Sequence, residues 1–357
     1  MKKMGFLSVA MTFAGCLLGA GYVSGQELWQ YFGCYGNIGI IGLVISIFLV
    51  GLTSWLVIWL SDNAKTGTVD RLMIRWDIPW LRVAVGVLFS LLYLVIGIIM
   101  IAGIASLGVQ MLGLNRAVGS AIATVIVMVT VYFGFEGMVK VFDMVIPVLV
   151  TAALVICVVR IAGVGTESID LTAEQNNPML GPWYMSTLNY TTLNMFGSIG
   201  IIAPLANHFK KKSSGPAGIA AGAAALIIIA VLLICAIATN RASTAWDLPM
   251  LDLAQRMGRG FGIVYGVLLF IAMYGNANAT LVAALNYTDK RMPGGKTKKS
   301  RIIRITLLGI ISFVCSLTGF SNLVATVYPV IGYIGLVSLI LIIEHAIHIK
   351  RLSSKNT

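Results

Sequence analysis

Seven residues, Gly19-Ala20-Gly21-Tyr22-Val23-Ser24-Gly25, sit inside an apolar stretch long enough to be a first membrane-spanning helix, and Glu27 follows two positions later. Three glycines in seven residues favour unwinding, because glycine is among the poorer helix formers. Unwound backbone at membrane depth is tolerated only where it lines a cavity or is buried in protein. The chemistry this offers is specific. Free N–H groups at the start of the second half-helix present a positive dipole end to an anion such as a carboxylate. Free carbonyls at the end of the first half suit an ammonium or a metal cation. Glu27 is costly at that depth unless it is paired or functional. Three roles stand open for it: binding a substrate amine, sensing protons, or capping neighbouring backbone.

A second such segment, Asn194-Met195-Phe196-Gly197-Ser198-Ile199-Gly200, lies 175 residues on, counted from Gly19 to Asn194 or from Gly25 to Gly200. It is expected to break the opening span of a second half and complete the pocket. Asn194 and Ser198 are its polar groups, Gly197 and Gly200 its flexible points, and Phe196 either a lid or a core residue. Matching interrupted segments in two halves point to a transporter site near the bilayer midplane. The plainer account is that small residues only let helices pack closely.

The elements that must position these residues are helices in a membrane. The 357 residues are 58% hydrophobic and 11% charged, with a mean hydropathy of +0.93. Apolar runs of spanning length recur, and the pattern predicts ten spans: 5–33, 36–61, 82–113, 116–135, 138–160, 183–209, 215–239, 260–288, 301–320 and 323–349. They divide five plus five: a first repeat over 1–160, a polar outer connector over 161–182, a second repeat over 183–349 and a tail over 350–357. With an odd number of spans per half, the second copy enters from the opposite side.

Charge sets the orientation. Of 25 Lys and Arg, only Arg116, Arg160, Arg241, Arg256 and Arg259 fall on one side; the other twenty fall with both termini. By the positive-inside rule both termini are cytoplasmic in a multi-pass protein of a bacterial cytoplasmic membrane. The basic 290–304 loop then faces anionic lipid headgroups, and nucleic acid is excluded as a partner. The segment ending Ala14-Gly15-Cys16 also fits a lipoprotein signal, but the glycine cluster and nine further spans follow it. Five scattered cysteines form no disulfide framework or metal spacing. No nucleophile–base constellation, paired carboxylates or metal cluster suggests an enzyme, and no filter-like run suggests a channel.

The run Ala14-Gly15-Cys16-Leu17-Leu18-Gly19-Ala20-Gly21-Tyr22-Val23-Ser24-Gly25-Gln26-Glu27 resembles the opening helix of the YkvI family of bacterial membrane proteins. These are grouped with amino-acid permeases of the amino acid–polyamine–organocation (APC) superfamily, which share the LeuT fold. The resemblance implies an all-α polytopic membrane protein with a 5+5 inverted repeat, ten transmembrane helices, and helices 1 and 6 broken. It implies backbone recognition of a substrate carboxylate by the N–H groups near Ala20, Gly21 and Tyr22. It also implies, in the sodium symporters of that fold, a Na⁺ held by the carbonyls of Gly15, Leu18 and Ala277 and the hydroxyl of Thr280. Here Leu281 stands where a second hydroxyl is usual; Asn276 and Asn278 offer amide oxygens instead.

Lys140, three residues before Asp143, is the rival for coupling: a lysine ammonium takes the place of sodium in some relatives, although an interfacial lysine explains it as well. Glu344, His345 and His348 are expected at the inner end of the last span. The reading is a secondary transporter of a small zwitterionic solute, an amino acid, by alternating access with Na⁺ or H⁺ coupling. The alternative is an amino-acid sensor, like a germinant-receptor subunit, without net transport. No cofactor other than a coupling ion is expected, and no protein partner is indicated.

Overall fold

The computed structural model describes residues 5–64, 69–76, 78–133, 138–174, 176–202, 213–291 and 297–355. Its described elements are helices. The first span is three pieces, α1 (Phe6–Leu17), α2 (Ala20–Val23) and α3 (Gln26–Tyr31). Then come α4 (Asn37–Asn63), a short α5 (Val69–Met73), α6 (Pro79–Leu112), α7 (Arg116–Phe133) and α8 (Met138–Val164). After the connector follow α9 (Trp183–Ile202), α10 (Ser214–Ala238), a short α11 (Pro249–Met257), α12 (Arg259–Arg291), α13 (Lys298–Ser316) and α14 (Phe320–Lys355). Each of the ten expected spans falls on one of these helices or on the split first one. Seven helices among the described residues are long and apolar enough to cross a membrane; α1 is shorter, and α9 and α13 are not among the seven.

Local chemistry sets several boundaries. Proline at the first position of α6 places its missing N–H where no intrahelical bond is made, and Gly113 closes that helix in the left-handed region at φ 65. Thr297 caps α13 by accepting from the Ser300 N–H.

Helix pairing repeats between the halves. α1 packs on α10 as α9 packs on α4; α12 packs on α8 as α6 packs on α14; α12 packs on α7 as α6 packs on α13. The pairs α4–α10, α6–α12 and α7–α13 map onto themselves under the same exchange. The close pairs α6–α7 and α9–α14 stand outside this exchange, so the repetition is partial. Glycines bring the backbones together: a Cβ on Gly218 or Gly222 of α10 would strike α1 at Val9 and Ala10, and one on Gly335 of α14 would strike the Thr192 backbone of α9.

One sequence expectation reads differently here. The second half opens on an unbroken helix: α9 runs through Asn194–Gly200 to Ile202, so the interruption expected there is absent from that stretch. Asn194 donates its side-chain N–H to the Tyr190 carbonyl at 3.0 Å, which holds the polar residue against its own helix. Glycines in an apolar run stay helical when neighbouring helices support them. Residues 203–212, Pro204 among them, lie outside the described residues. Pro329, in contrast, does stand inside α14. A proline has no N–H for the carbonyl four residues back, and Asn177 of the connector supplies a donor to that carbonyl, Ala325, at 2.5 Å.

Candidate functional site

The first helix breaks where its glycines begin. α1 ends at Leu18, whose ψ of 62 leaves the helical region. Gly19 is extended at φ −82 and ψ 171, a conformation open to any residue. α2 restarts for a single turn, Gly25 turns the chain in the left-handed region at φ 82, and α3 continues. Gly25 is therefore the one glycine of the three whose backbone demands glycine. A Cβ there would also strike Ile237 and meet Met250.

The second kink folds Glu27 back towards the break. One carboxylate oxygen lies 2.6 Å from the point a Cβ on Gly21 would occupy, and the Tyr328 hydroxyl lies 3.6 Å from that point. Gly21 thus makes room for the Glu27 carboxylate. Glu27 is only 7% exposed. Around it stand the phenols of Tyr22, Tyr31, Tyr190 and Tyr328, from α2, α3, α9 and α14, each within electrostatic reach of the carboxylate. Two of these hydroxyls are committed elsewhere: Tyr22 donates to the Leu226 carbonyl at 2.7 Å and Tyr31 to Asn189 Oδ1 at 3.1 Å. The Tyr190 hydroxyl is buried and makes no hydrogen bond of acceptable geometry among the described residues. Its ring packs on Tyr31 at 5.1 Å between centroids and edge-on to Phe32 at 4.9 Å.

The frame behind this pocket is polar and bonded. Tyr265 donates to the Val23 carbonyl at 2.5 Å, the Met250 N–H to the Ser24 carbonyl at 3.0 Å, and the Ser24 hydroxyl to the Gly21 carbonyl at 2.8 Å. These bonds satisfy carbonyls that the two breaks release. Gln26 and Gln30 both donate to the Ser321 hydroxyl, at 2.6 and 3.0 Å. The Ser321 N–H donates in turn to Asp247, which pairs with Arg116 at 3.0 Å and accepts from Ser106 at 2.6 Å.

The remaining sequence candidates divide. The N–H groups of Ala20, Gly21 and Tyr22 do start a helical segment, but α2 has only four residues. Asn194 lies one turn beyond Tyr190. Phe196 is buried and meets Phe89 of α6 edge-on at 5.4 Å. Gly197, Ser198 and Gly200 have helical backbone, and their environment lies outside the described residues, as does the side chain of Lys140.

Of the cation candidates, Ala277 and Thr280 are adjacent: the Thr280 hydroxyl donates to the Asn276 carbonyl at 2.7 Å and to the Ala277 carbonyl at 3.2 Å. It faces Gly97 of α6. The oxygen of the Asn278 side chain is buried without a partner among the described residues. Gly15 and Leu18 stand on α1, whose chief neighbours are α10 and α9 rather than α12. No group of three or more His, Cys, Asp or Glu fit for a metal occurs among the described residues. A cavity of about 290 Å³ between α6, α7 and α12 is lined only by apolar residues and glycine, Leu107, Met111, Ile122 and Phe270 among them. It has no group to hold a charged solute.

Sequence reasoning passed over Tyr31, Tyr190 and Tyr328. Their signal was a hydroxyl-bearing ring inside an apolar span, which is weak because tyrosine is common at membrane interfaces.

No family model matches the chain. It is 23% identical over 330 residues to the uncharacterized membrane protein YkvI of Bacillus subtilis (strain 168), covering 92% of each chain. It is 24% identical over 338 residues to the uncharacterized protein YyaD of the same organism, covering 93% of this chain and 94% of that one. Among solved structures, the inward-facing conformation of Mhp1 matches with a TM-score of 0.64 at 14% identity, over 96% of this chain and 78% of that one. A Na⁺-coupled sialic acid symporter, substrate-bound and outward-open, matches at 0.54 and 14% identity over 93% and 76%. A manganese transporter of Eremococcus coleocola matches at 0.55 and 14% identity over 93% and 78%.

The chain is a multi-pass membrane protein of the LeuT-type fold. Over nearly its whole length it is similar to YkvI and YyaD of Bacillus subtilis, in line with the resemblance of the Ala14–Glu27 run.

Proposed function

We propose that this protein is a secondary active transporter of a small zwitterionic solute, an amino acid, working by alternating access between its two five-helix repeats. The observation that carries the reading is the first helix, broken at Leu18–Gly19 with a buried carboxylate folded over the break. That arrangement sits in a fold whose solved examples include a sialic acid symporter and a manganese transporter. In this reading the N–H groups of Ala20, Gly21 and Tyr22 take the substrate carboxylate and Glu27 faces its ammonium. Phe196, against Phe89, closes the pocket from α9, with Asn194, Gly197, Ser198 and Gly200 beside it. The repeats span 1–160 and 183–349, with both termini cytoplasmic.

Coupling uses a cation. The adjacent oxygens of Ala277 and Thr280 favour Na⁺, completed by Gly15 and Leu18 when α1 approaches α12, with Asn276 and Asn278 as further oxygen donors. A proton on Glu27, or the ammonium of Lys140, is the rival. The test is thermal stability of the purified protein against amino acids in sodium and in choline buffers, followed by uptake into liposomes. Ligand bound only to the native state raises its stability by mass action. Stabilisation that needs sodium, with uptake driven by a sodium gradient, is expected. Stabilisation without any uptake under sodium or proton gradients would replace transport with sensing.

A further inference from the structure

Three acidic side chains are drawn into the core at the first helix and beside it, and they differ in one respect. Asp252 accepts from Arg256 and from the Ser243 hydroxyl, each at 2.7 Å. Asp247 has Arg116 at 3.0 Å and Ser106 at 2.6 Å. Glu27, as buried as Asp252, has no basic partner among the described residues, and the polar group set against its carboxylate is the neutral Tyr190 hydroxyl. A buried carboxylate without a counter-charge is costly, and proteins ordinarily pair it. Its surroundings are aromatic: Tyr22, Tyr31, Tyr190 and Tyr328 converge from four helices. Tyr22 and Tyr31 have already donated their hydroxyl protons away from it. What the site lacks is a positive charge with N–H donors; what it offers is a carboxylate and the phenol oxygens near it, a setting suited to an organic ammonium.

We propose that the solute's ammonium group, held by Glu27 within this tyrosine cage, is the required recognition element of the site, and that the solute's carboxylate is dispensable. The site accepts primary amines and amino acids and rejects acids that lack an amine. This rests on the solute-binding reading above and deepens it. The asymmetry has a structural cause. The anion end of the pocket is a single-turn helix with no cationic side chain, whose dipole is weaker than that of a long half-helix. The cation end holds the Glu27 carboxyl, which an ammonium would pair with at low dielectric. Gly21 is part of the device, since any side chain there displaces the carboxylate.

The test uses matched triplets on the full-length protein: an amino acid, its decarboxylated amine and its deaminated acid. Alanine with ethylamine and propionate, leucine with isoamylamine and isocaproate, and phenylalanine with phenethylamine and phenylpropionate cover three sizes. Within a triplet that binds, the amine is expected to stabilise the protein and to compete with the amino acid, while the acid does neither. Glu27→Gln should weaken the amine at least tenfold, and Gly21→Ala should do the same. Tyr190→Phe and Tyr328→Phe, which keep the rings, should cost less. Should Glu27→Gln fail to fold, the wild-type panel decides alone. An acid that binds as well as its amino acid, with an inert amine, overturns the proposal and leaves the transporter reading standing. So does unchanged amine affinity in Glu27→Gln. Binding by no member of any triplet removes both.

Discussion

The two halves of the first helix are held in different ways. The outer half, α2 and α3, is tied by side chains and backbone of α9, α10, α11, α12 and α14: Tyr22 to Leu226, Tyr265 to Val23, Met250 to Ser24, Gln26 and Gln30 to Ser321, and Ser186 to the Tyr31 carbonyl. Among the described residues the inner half, α1, makes side-chain hydrogen bonds only within itself, from Thr12 to Ser8 and from Cys16 to Thr12. It rests on α10 through Val9, Ala10 and Phe13, and none of the described residues lies within 4 Å of a Cβ on Gly15 or Gly19. Polar bonds between buried groups fix one geometry, because a displaced partner leaves a desolvated donor or acceptor. Apolar packing against small residues tolerates rocking. The break between the halves joins an outer piece fixed by polar bonds to an inner piece held by apolar packing, the division that the proposed alternating access would use.

Substitutions can break that contrast, beginning with the largest effect. Gly25→Ala combines a strained left-handed backbone with a clash on Ile237, and is expected to cost about 2–5 kcal/mol of stability. The thermal midpoint of the purified protein reads it. Tyr265→Phe leaves the Val23 carbonyl buried without its donor and should cost about 1–3 kcal/mol by the same measurement. Ser321→Ala removes the acceptor shared by Gln26 and Gln30, at about 1 kcal/mol. It should also loosen α3, which hydrogen exchange of the Gln26–Tyr31 amides would show. Gly15→Ala and Gly19→Ala add a methyl group to open space and should change stability by less than about 0.5 kcal/mol. A large loss at Gly19 would overturn the view that the inner half is loosely held.

The smallest effect is electrostatic and lies in the connector, outside the spans. The Asp170 carboxyl is drawn down from 3.8 to about 2, first by the Thr172 backbone N–H and then by Arg241. A depressed carboxyl stabilises the fold above its unfolded value and loses that contribution as pH falls towards 2. Amide protection in the connector should therefore decline between about pH 4 and pH 2, and Arg241→Gln should flatten that decline.

Much of the architecture was legible because it rests on composition. A chain this apolar with polar breaks must be a set of spanning helices. The first break was legible too, since three glycines in seven residues act locally. The second segment shows the limit of the same logic. Asn194–Gly200 carries two glycines and an asparagine yet stays helical, with the Asn194 side chain bonded to the Tyr190 carbonyl of its own helix. The amphipathic periodicity that marks a buried face in soluble helices is weak in spans that are apolar all round, so no pattern marked Tyr31, Tyr190 and Tyr328 as facing one carboxylate.

By itself the sequence determined a multi-pass helical membrane protein whose first span breaks at Gly19–Gly25, with an acid just beyond. Those properties follow from hydropathy and backbone propensity, which act within a few residues. Only the tertiary structure decided that Gly25 bears the positive φ, that Gly21 makes room for Glu27, and that four tyrosines drawn from positions 22 to 328 surround it. Such a pocket depends on which helix faces lie against one another, and packing in the folded chain sets that.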